Sequence, residues 1–322
     1  MTVVSVVVGT YQGADFLDAQ LASIVGQTRQ PDRIVVTDDG STDDTVAIAR
    51  RALASFGGES LIATNPGRRG VVANFSHGLV EAGGDLIALS DQDDVWRPDK
   101  LQTMLAEFES RPDLLLLHSD ARLVDSMGDA IGGTLLESIS MSGSMRRHEH
   151  DGQALRVLMG RNTVTGATTM IRRRLVDIAL PVPDGWIHDE WLAMVAAAVG
   201  ELDLIEQPLI DYRQHGANVI GAQVLGVRGK AAKMTEPRAQ RNARLLTRAA
   251  QLPTRLEALG AAVRPEAVAL SRIKLDHERR RSALPPGRLA RVPSVVVAQL
   301  RGDYRRFGRG TLDALRDVIQ PG

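Results

Sequence analysis

The apolar and polar positions divide the chain into two patterns. Up to about residue 125, short apolar, β-branched runs alternate with stretches of helical period. That alternation predicts βαβ units around a largely parallel sheet. The predicted strands are Val3–Val8, Arg33–Thr37, Ser60–Ala63, Leu86–Leu89 and Leu114–His118, each short and soon ended by Gly, Asp, Asn or Ser. Strands buried on both faces of a sheet read this way. Between the first two, Phe16, Leu17, Leu21 and Ile24 recur at helical spacing, and Ser41 with Asp44 predicts a capped helix running to Phe56. Residues 126–160 are rich in Gly, Ser and Met with weak periodicity, which predicts a long excursion or short helices. Further on, Thr163–Arg172 predicts a strand, Glu190–Val199 a helix, and Leu202–Arg213 a returning strand pair broken at Pro208. The core is expected to close near Gly221.

From Lys230 onward the chain is Ala-, Arg- and Leu-rich and helical by propensity, with expected interruptions at Pro253, Pro265, Pro285–Pro286 and Pro293. The fold class is therefore α/β: a Rossmann-like, mostly parallel central sheet in residues 1–225, followed by a basic, mainly helical region in residues 226–322. Charge sharpens this division. The chain as a whole balances 39 Lys and Arg against 39 Asp and Glu, yet residues 226–322 hold 21 of the former against 8 of the latter. An acidic body with a basic C-terminal region is expected, and the region has two readings: helices packed on the core, or a surface for an anionic membrane. Arg279–Arg281, Val295–Leu300 and Tyr304–Phe307 mix charge with apolar anchors as interfacial segments do. Nucleic acid is not an expected partner, because no recognition module accompanies the charge. The chain has no cysteine, which excludes disulfide and thiolate chemistry and fits a reducing compartment. No basic-then-apolar leader and no apolar run long enough to span a bilayer is evident, so the expected location is cytoplasmic, with peripheral membrane contact as an addition.

The candidate chemistry falls where predicted parallel strands end, which is where open α/β sheets bind ligands. Strand one delivers Gly9-Thr10-Tyr11, strand two Asp38-Asp39-Gly40-Ser41, and strand four Ser90-Asp91-Gln92-Asp93-Asp94. Three carboxylates in four residues repel one another unless a cation or hydrogen-bond donors compensate. Mg²⁺ or Mn²⁺ is the natural compensation, since both take oxygen ligands and share them with substrate phosphates; a solvated turn capping the helix begun at Pro98 is the other reading. Asp38 and Asp39 suit hydrogen bonds to a base or ribose rather than to phosphate, Asp39 being the better candidate and Asp38 reading as a turn residue. His188-Asp189-Glu190-Trp191 opens a helix, and Asp189 there can act as general base or as a plain helix cap, with Glu190 as its rival. Arg213 could pair with phosphate, and His215 could ligate the metal or meet a diphosphate. The small residues Asn162–Thr168 permit close backbone approach.

Taken together these motifs resemble glycosyltransferase family 2, whose members share the GT-A fold, and the match runs from residue 3 to about 222. It rests on Val6–Tyr11, Asp38–Asp43, Asn65 with Gly70 and Asn74, the acidic cluster, and the later acidic position at Asp189. More closely, Ser90–Trp96, Asn162–Thr168, His188-Asp189 with Trp191, and Tyr212–His215 with Asn218, Gly221 and Ala222 are similar to bacterial rhamnosyltransferases of the rhamnan type. Gly9 stands where many relatives have Pro, and His188 where others have Glu. The resemblance implies that Asp93 and His215 serve the metal, His215 alternatively the diphosphate. It further implies that Asp91 contacts ribose or metal, that Thr10 and Asp39 meet the base region, and that Asp189 is the base. Tyr11, Asn74 and Arg213 fall on the donor side, Gly166 and Trp191 on the acceptor side. The expected partners are a nucleotide-sugar donor, dTDP-rhamnose or a UDP-sugar, and a glycan or lipid-linked glycan acceptor. The expected reaction is one inverting displacement. A sugar nucleotidyltransferase would want a basic phosphate loop after strand one, where Gly9–Asp15 has no basic residue; a non-catalytic binding module would not need carboxylates in both the metal and the base positions.

Overall fold

The computed structural model describes residues 1–67, 69–215 and 237–321. The expected closure at Gly221, the motif residues Asn218, Gly221 and Ala222, and the boundary between 225 and 226 lie outside them. The order is β1 (Val4–Thr10), α1 (Leu17–Val25), β2 (Arg33–Asp38), α2 (Thr45–Leu53), β3 (Glu59–Thr64), α3 (Val71–Glu81), β4 (Leu86–Ser90), β5 (Val95–Trp96) and α4 (Lys100–Ser110). There follow β6 (Leu114–Val124), β7 (Ala130–Thr134), α5 (Leu135–Ser138), α6 (Gly143–His150), α7 (Ala154–Leu158), β8 (Thr169–Arg172), α8 (Arg173–Ala179), α9 (His188–Val199) and β9 (Glu201–Arg213). The C-terminal helices are α10 (Arg238–Ala258), α11 (Pro265–Ser282), α12 (Arg288–Leu300), α13 (Asp303–Phe307) and α14 (Thr311–Ile319).

The strands form one sheet in the order β3-β2-β1-β4-β8-β6-β9-β5, with β7 paired to β6. Pairs among β1 to β4 are parallel, as is β6 with β9, whereas β8 runs antiparallel to both its neighbours and β5 antiparallel to β9. Successive side chains of a strand point to opposite faces, and the sheet uses this to build two cores. Val4, Val6 and Val8 of β1, with Ile34, Val36, Leu86 and Ala88, pack against Leu17, Leu21 and Ile24 of α1 and Leu101, Met104 and Phe108 of α4. Val7, Val35, Ile87 and Leu89 face the other way, onto Phe75 and Leu79 of α3 and Trp191 and Leu192 of α9. The mostly parallel α/β sheet followed by C-terminal helices is thus as the periodicity predicts.

Four local expectations need correction. Helix α2 starts at Thr45, and it is Asp43 whose carboxylate accepts from the Thr45 N–H at 3.1 Å; the Ser41 hydroxyl instead donates to Asp38. The segment before β8 is a 3-10 turn, Gly166–Thr168, because the Thr168 and Thr169 hydroxyls both donate to the Thr165 carbonyl at 2.8 and 2.9 Å, a local bond that competes with a strand ladder. Pro208 does not break a strand pair; β9 runs through it, and the ladder with β6 shifts register between Ser119↔Ile205 and Asp120↔Pro208, the irregularity that a residue without an N–H needs. Pro253 and Pro293 likewise sit inside α10 and α12, while Pro265 opens α11.

The C-terminal helices share the main core: Leu252, Leu256, Ala267 and Leu270 belong to the same buried cluster as Trp191. Tyr304 and Phe307, expected as interfacial anchors, are buried, and so is Arg281, which donates to Asp317 at 2.7 Å and Glu278 at 2.9 Å. Among the described residues no helix is long and apolar enough to cross a membrane.

Candidate active site

The register of the parallel strands brings their C-terminal ends level: Thr10 lies opposite Asp38, and Val8 opposite Ser90. The loops that leave these ends therefore meet at one edge of the sheet. Asp38 is buried and used entirely by its own surroundings, accepting from the Thr10 hydroxyl at 3.0 Å and from the Gly40 and Ser41 N–H groups at 3.1 and 2.8 Å. This is the turn role read for it. Asp39 is also buried; its carboxylate accepts from the backbone N–H groups of Arg69 and Gly70, both at 2.8 Å, and from Asn65 Nδ2 at 3.2 Å. Asn74 braces the same corner from beneath, donating to the Thr37 carbonyl at 2.8 Å and the Thr10 carbonyl at 3.3 Å while accepting from Asn65 at 3.0 Å. Its amide is thus engaged within this corner and its side chain is buried.

The acidic loop is fixed from both sides. Gln92 grips the Tyr11 peptide, accepting from its N–H at 2.8 Å and donating to its carbonyl at 3.0 Å. Gly13 leaves the room this requires, since a Cβ there would stand 2.2 Å from Gln92 Oε1. Gly9 serves a related purpose: a Cβ would come within 2.8 Å of the Phe75 ring, which stacks on His188 with centroids 4.2 Å apart. The departure from Pro at position 9 thus goes with an aromatic stack that needs the space. Arg213 holds the far side of the loop. Its Nε donates to the Asp93 carbonyl at 2.7 Å, its Nη1 to the Ser126 carbonyl at 2.9 Å, and its backbone N–H to Asp94 Oδ1 at 3.0 Å. The guanidinium is buried, and its Nε and Nη1 bonds to carbonyl oxygens give Arg213 a part in shaping the loop.

One oxygen each from Asp91, Asp93 and Asp94 lies within 4.8 Å of the others, and His215 Nε2 is 2.8 Å from Asp93 Oδ2. Asp93 and His215 are 122 positions apart in sequence, and β9, the strand that ends just before Gln214 and His215, delivers the histidine to the loop after β4. Burial and mutual repulsion push Asp91 up to about 8, and raise Asp94 well above the ordinary carboxylate range. Asp94 Oδ2 is buried and has no hydrogen-bond partner among the described residues. A cluster of hard oxygens with one imidazole, crowded beyond what protein donors satisfy, fits a divalent cation such as Mg²⁺ or Mn²⁺.

Lys100 is the residue that the sequence reading passed over. It is fully buried, donates to the Ala167 carbonyl at 2.9 Å and lies 3.7 Å from the centroid of the Trp96 ring. Burial pulls it down to about 7 against the opposing pull of Asp94 and Asp91. A signal was present: Lys100 sits on the stripe Lys100–Leu101–Met104–Phe108, which is otherwise apolar and faces the core.

Across the crevice, Asp189 stands in the first turn of α9. Its Oδ2 accepts from the Gly166 N–H at 2.9 Å and its Oδ1 from the Glu190 N–H at 2.6 Å. Burial raises it to about 6 in spite of these bonds, and its charge is close enough to contribute to the shift at Asp91. Gly166 is small because a side chain there would press on His188 at 3.1 Å and on Asp189. His188 is buried and kept neutral, lowered to about 3 by desolvation. The rival base, Glu190, is tied to Arg248 of α10 in an ion pair, and the Arg248 guanidinium lies 4.4 Å from the Trp186 ring centroid. Trp191 does not reach the crevice: it is fully buried, with its indole N–H on the Ala179 carbonyl at 2.8 Å. Two residues along a helix turn a side chain by about 200°, so a helix that presents Asp189 to the site presents Trp191 to the core.

Residues 5–177, more than half of the chain, match glycosyl transferase family 2. An uncharacterized glycosyltransferase of Nostoc sp. is 26% identical over 222 residues, covering 67% of this chain and 66% of its own length, so the chain spans a little under two thirds of that relative. Among solved structures, S. aureus TarS (residues 1–349) in complex with UDP-GlcNAc superposes with a TM-score of 0.57 at 17% identity, over 86% of this chain and 72% of that one. The mannosyltransferase PcManGT from Pyrobaculum calidifontis, in complex with GDP-Man and Mn²⁺, gives 0.51 at 19% identity, over 99% and 86%. At these identities the structures speak for the GT-A-like fold alone. The match over residues 5–177, a range that contains Thr10, Asp39 and the acidic loop, decides the assignment: the chain belongs to glycosyl transferase family 2.

Proposed function

We propose that the chain is an inverting, metal-dependent glycosyltransferase that moves rhamnose from dTDP-rhamnose onto a cell-wall, O-antigen or other surface-polysaccharide acceptor. The observation that carries the reaction type is the nearness of two acidic centres: the Asp91, Asp93 and Asp94 cluster with His215, and Asp189, held by Gly166 and close enough for its charge to act on Asp91. Asp93 and His215, with Asp91 and Asp94, are the residues that would hold Mg²⁺ or Mn²⁺. When bound there, the cation would supply positive charge for the departing diphosphate. Thr10, Tyr11 and Asp39 form the base side of the donor site, with Asn74 and Arg213 bracing the loops behind it. Asp91 meets the ribose or the metal. Gly166 lies on the acceptor side, where its missing side chain leaves the approach to Asp189 open.

Asp189 takes the proton from the attacking acceptor hydroxyl. A carboxylate raised to about 6 is a stronger base than a solvated aspartate and is still mostly ionised at neutral pH. One carboxylate on the acceptor side suits a single displacement with inversion. Glu190 is less suited to the task, since its charge is already paired with Arg248. The dTDP-rhamnose donor rests on the similarity of Ser90–Trp96 and Tyr212–His215 to rhamnan-type enzymes. A UDP-sugar is the second reading, favoured by the UDP-GlcNAc complex of TarS. A lipid-linked acceptor would place the protein at the inner face of the membrane.

A donor screen tests all of this at once. dTDP-rhamnose and UDP- and GDP-sugars are incubated with and without Mn²⁺, and nucleoside diphosphate release is measured. Metal-dependent release from dTDP-rhamnose alone is the expected result; release from a UDP-sugar alone selects the second reading, and metal-independent release removes the cation from the proposal.

A further inference from the structure

The C-terminal helices carry an apolar surface that the described residues leave uncovered. On α12, Leu289, Val292, Val296 and Leu300 are exposed, Leu289 and Leu300 at 88% and 82%. Steps of three and four residues put them on one stripe, while Arg291 and Val295 on the same helix are buried. On α14, which packs against α12, Leu312, Leu315 and Ile319 repeat the pattern and are exposed as well. Single surface leucines are ordinary, but seven large apolar side chains on two adjoining helices form a patch that calls for an occupant.

Charge identifies that occupant. Arg288, Arg301, Arg305 and Arg309 are exposed, and the structure shows no ion pair for any of them among the described residues. No acidic residue lies between Pro285 and Gly302. The three that follow are engaged elsewhere: Asp303 pairs with Arg280 at 3.5 Å, Asp313 with Arg316 at 3.5 Å, and Asp317 is buried beside Arg241 and Arg281. A second copy docked by a two-fold axis would set arginine against arginine in a desolvated interface with no acid to answer. An anionic lipid surface answers both features, taking the apolar stripe among its acyl chains and the guanidinium groups among its phosphates. A cavity of about 470 Å³ next to α12 has apolar walls from Leu284, Pro293, Val297 and Ala298, with the Arg280–Asp303 pair and Arg301 at its polar side. An acyl chain and its phosphate present the same pairing of chemistries.

We infer that the paired faces of α12 and α14 dock the protein on an anionic bilayer, an inference that rests on the inner-membrane reading above and names the surface responsible. It moves the contact away from Tyr304, Phe307 and Arg281, which the core consumes.

The full chain is sedimented with vesicles of phosphatidylcholine alone and with vesicles containing phosphatidylglycerol, at low and high salt. Binding is expected only with phosphatidylglycerol, weakened by salt, and reduced at least tenfold by Leu289→Gln with Leu300→Gln and, separately, by Arg288→Glu with Arg301→Glu. Thermal unfolding midpoints of both variants should match the parent, since all four side chains are exposed. If the parent binds and both variants bind equally well, the face is wrong while the membrane reading stands. If the parent does not bind at all, face and membrane reading fall together, and the donor screen above still judges the transferase reading independently. A dimer in sedimentation equilibrium that Leu289→Gln with Leu300→Gln dissociates would give the face to a second copy and overturn the inference.

Discussion

Asp189 owes its basicity to where it sits. Two backbone N–H groups and the start of a helix favour its charge, yet burial wins and lifts it to about 6. Since only the ionised form can accept a proton, transfer should fall as pH drops below about 6, approaching a tenfold loss per unit, and stay level above it. A rate profile flat down to pH 4.5 would remove Asp189 as the base. Replacing it by Asn keeps the shape but only one of the two backbone bonds, since the amide nitrogen cannot accept from an N–H, and abolishes proton acceptance; turnover should drop by about 10²–10⁴ with donor binding near normal, as measured by calorimetric titration. Gly9 makes a packing prediction of its own. Gly9→Ala drives a methyl into the Phe75 ring at 2.8 Å, and overpacking of this kind costs about 1–3 kcal/mol. In a double-mutant cycle by urea unfolding, Phe75→Leu should recover part of that loss; strict additivity of the two changes would show that the ring is not what Gly9 accommodates.

At the level of elements, the site is held by ties between segments that only the sheet brings near one another. The lysine that opens α4 secures the Gly166–Thr168 turn through the Ala167 carbonyl, and the N–H of Gly166 in that turn holds Asp189. The same ammonium offsets charge at Asp91 and Asp94. Lys100→Met fills the space but orphans a buried carbonyl and removes a cation that offsets Asp91 and Asp94, so stability should fall by about 1–3 kcal/mol. Urea midpoints read this directly, and a variant as stable as the parent would refute the brace. β9 plays a comparable part: it carries Arg213 to the back of the acidic loop and sets His215 beside Asp93.

Over the whole molecule, the C-terminal helices share the hydrophobic core of the sheet domain. Leu252 and Leu256 of α10 join the core of α9, and Arg248 of α10 pairs with Glu190 next to Asp189. Leu252→Ala should therefore cost about 2–5 kcal/mol in one cooperative transition seen by both tryptophan fluorescence and circular dichroism. Two separate transitions, with the variant affecting only the later residues, would mean that the helices fold by themselves. The charge asymmetry takes on a different meaning in this arrangement. Part of the basic region's charge is consumed inside, as with Arg241 and Arg281 around Asp317, and part remains on the outer side of α12 to α14.

The sequence by itself determined the βαβ order, the strands β1 to β4 to within a few residues and the start of β6, and the carboxylates at the strand ends, because apolar period and chain-local turn chemistry are properties of neighbours along the chain; it left out the two-residue β5 and ended β6 six residues early. It also contained Asp93, Asp189 and His215 as separate candidates. Tertiary structure alone decided which of them meet: His215 lies 2.8 Å from Asp93 because β9 ends beside the loop after β4, and no local pattern encodes that adjacency. It likewise decided that Arg213 and Asn74 brace the site from behind and that Trp191 faces the core, since a polar or aromatic side chain takes whichever partners the topology supplies. Lys100 shows the same division. Its place on an apolar stripe was legible, but its task depended on a carbonyl 67 positions away that only the folded sheet puts within reach.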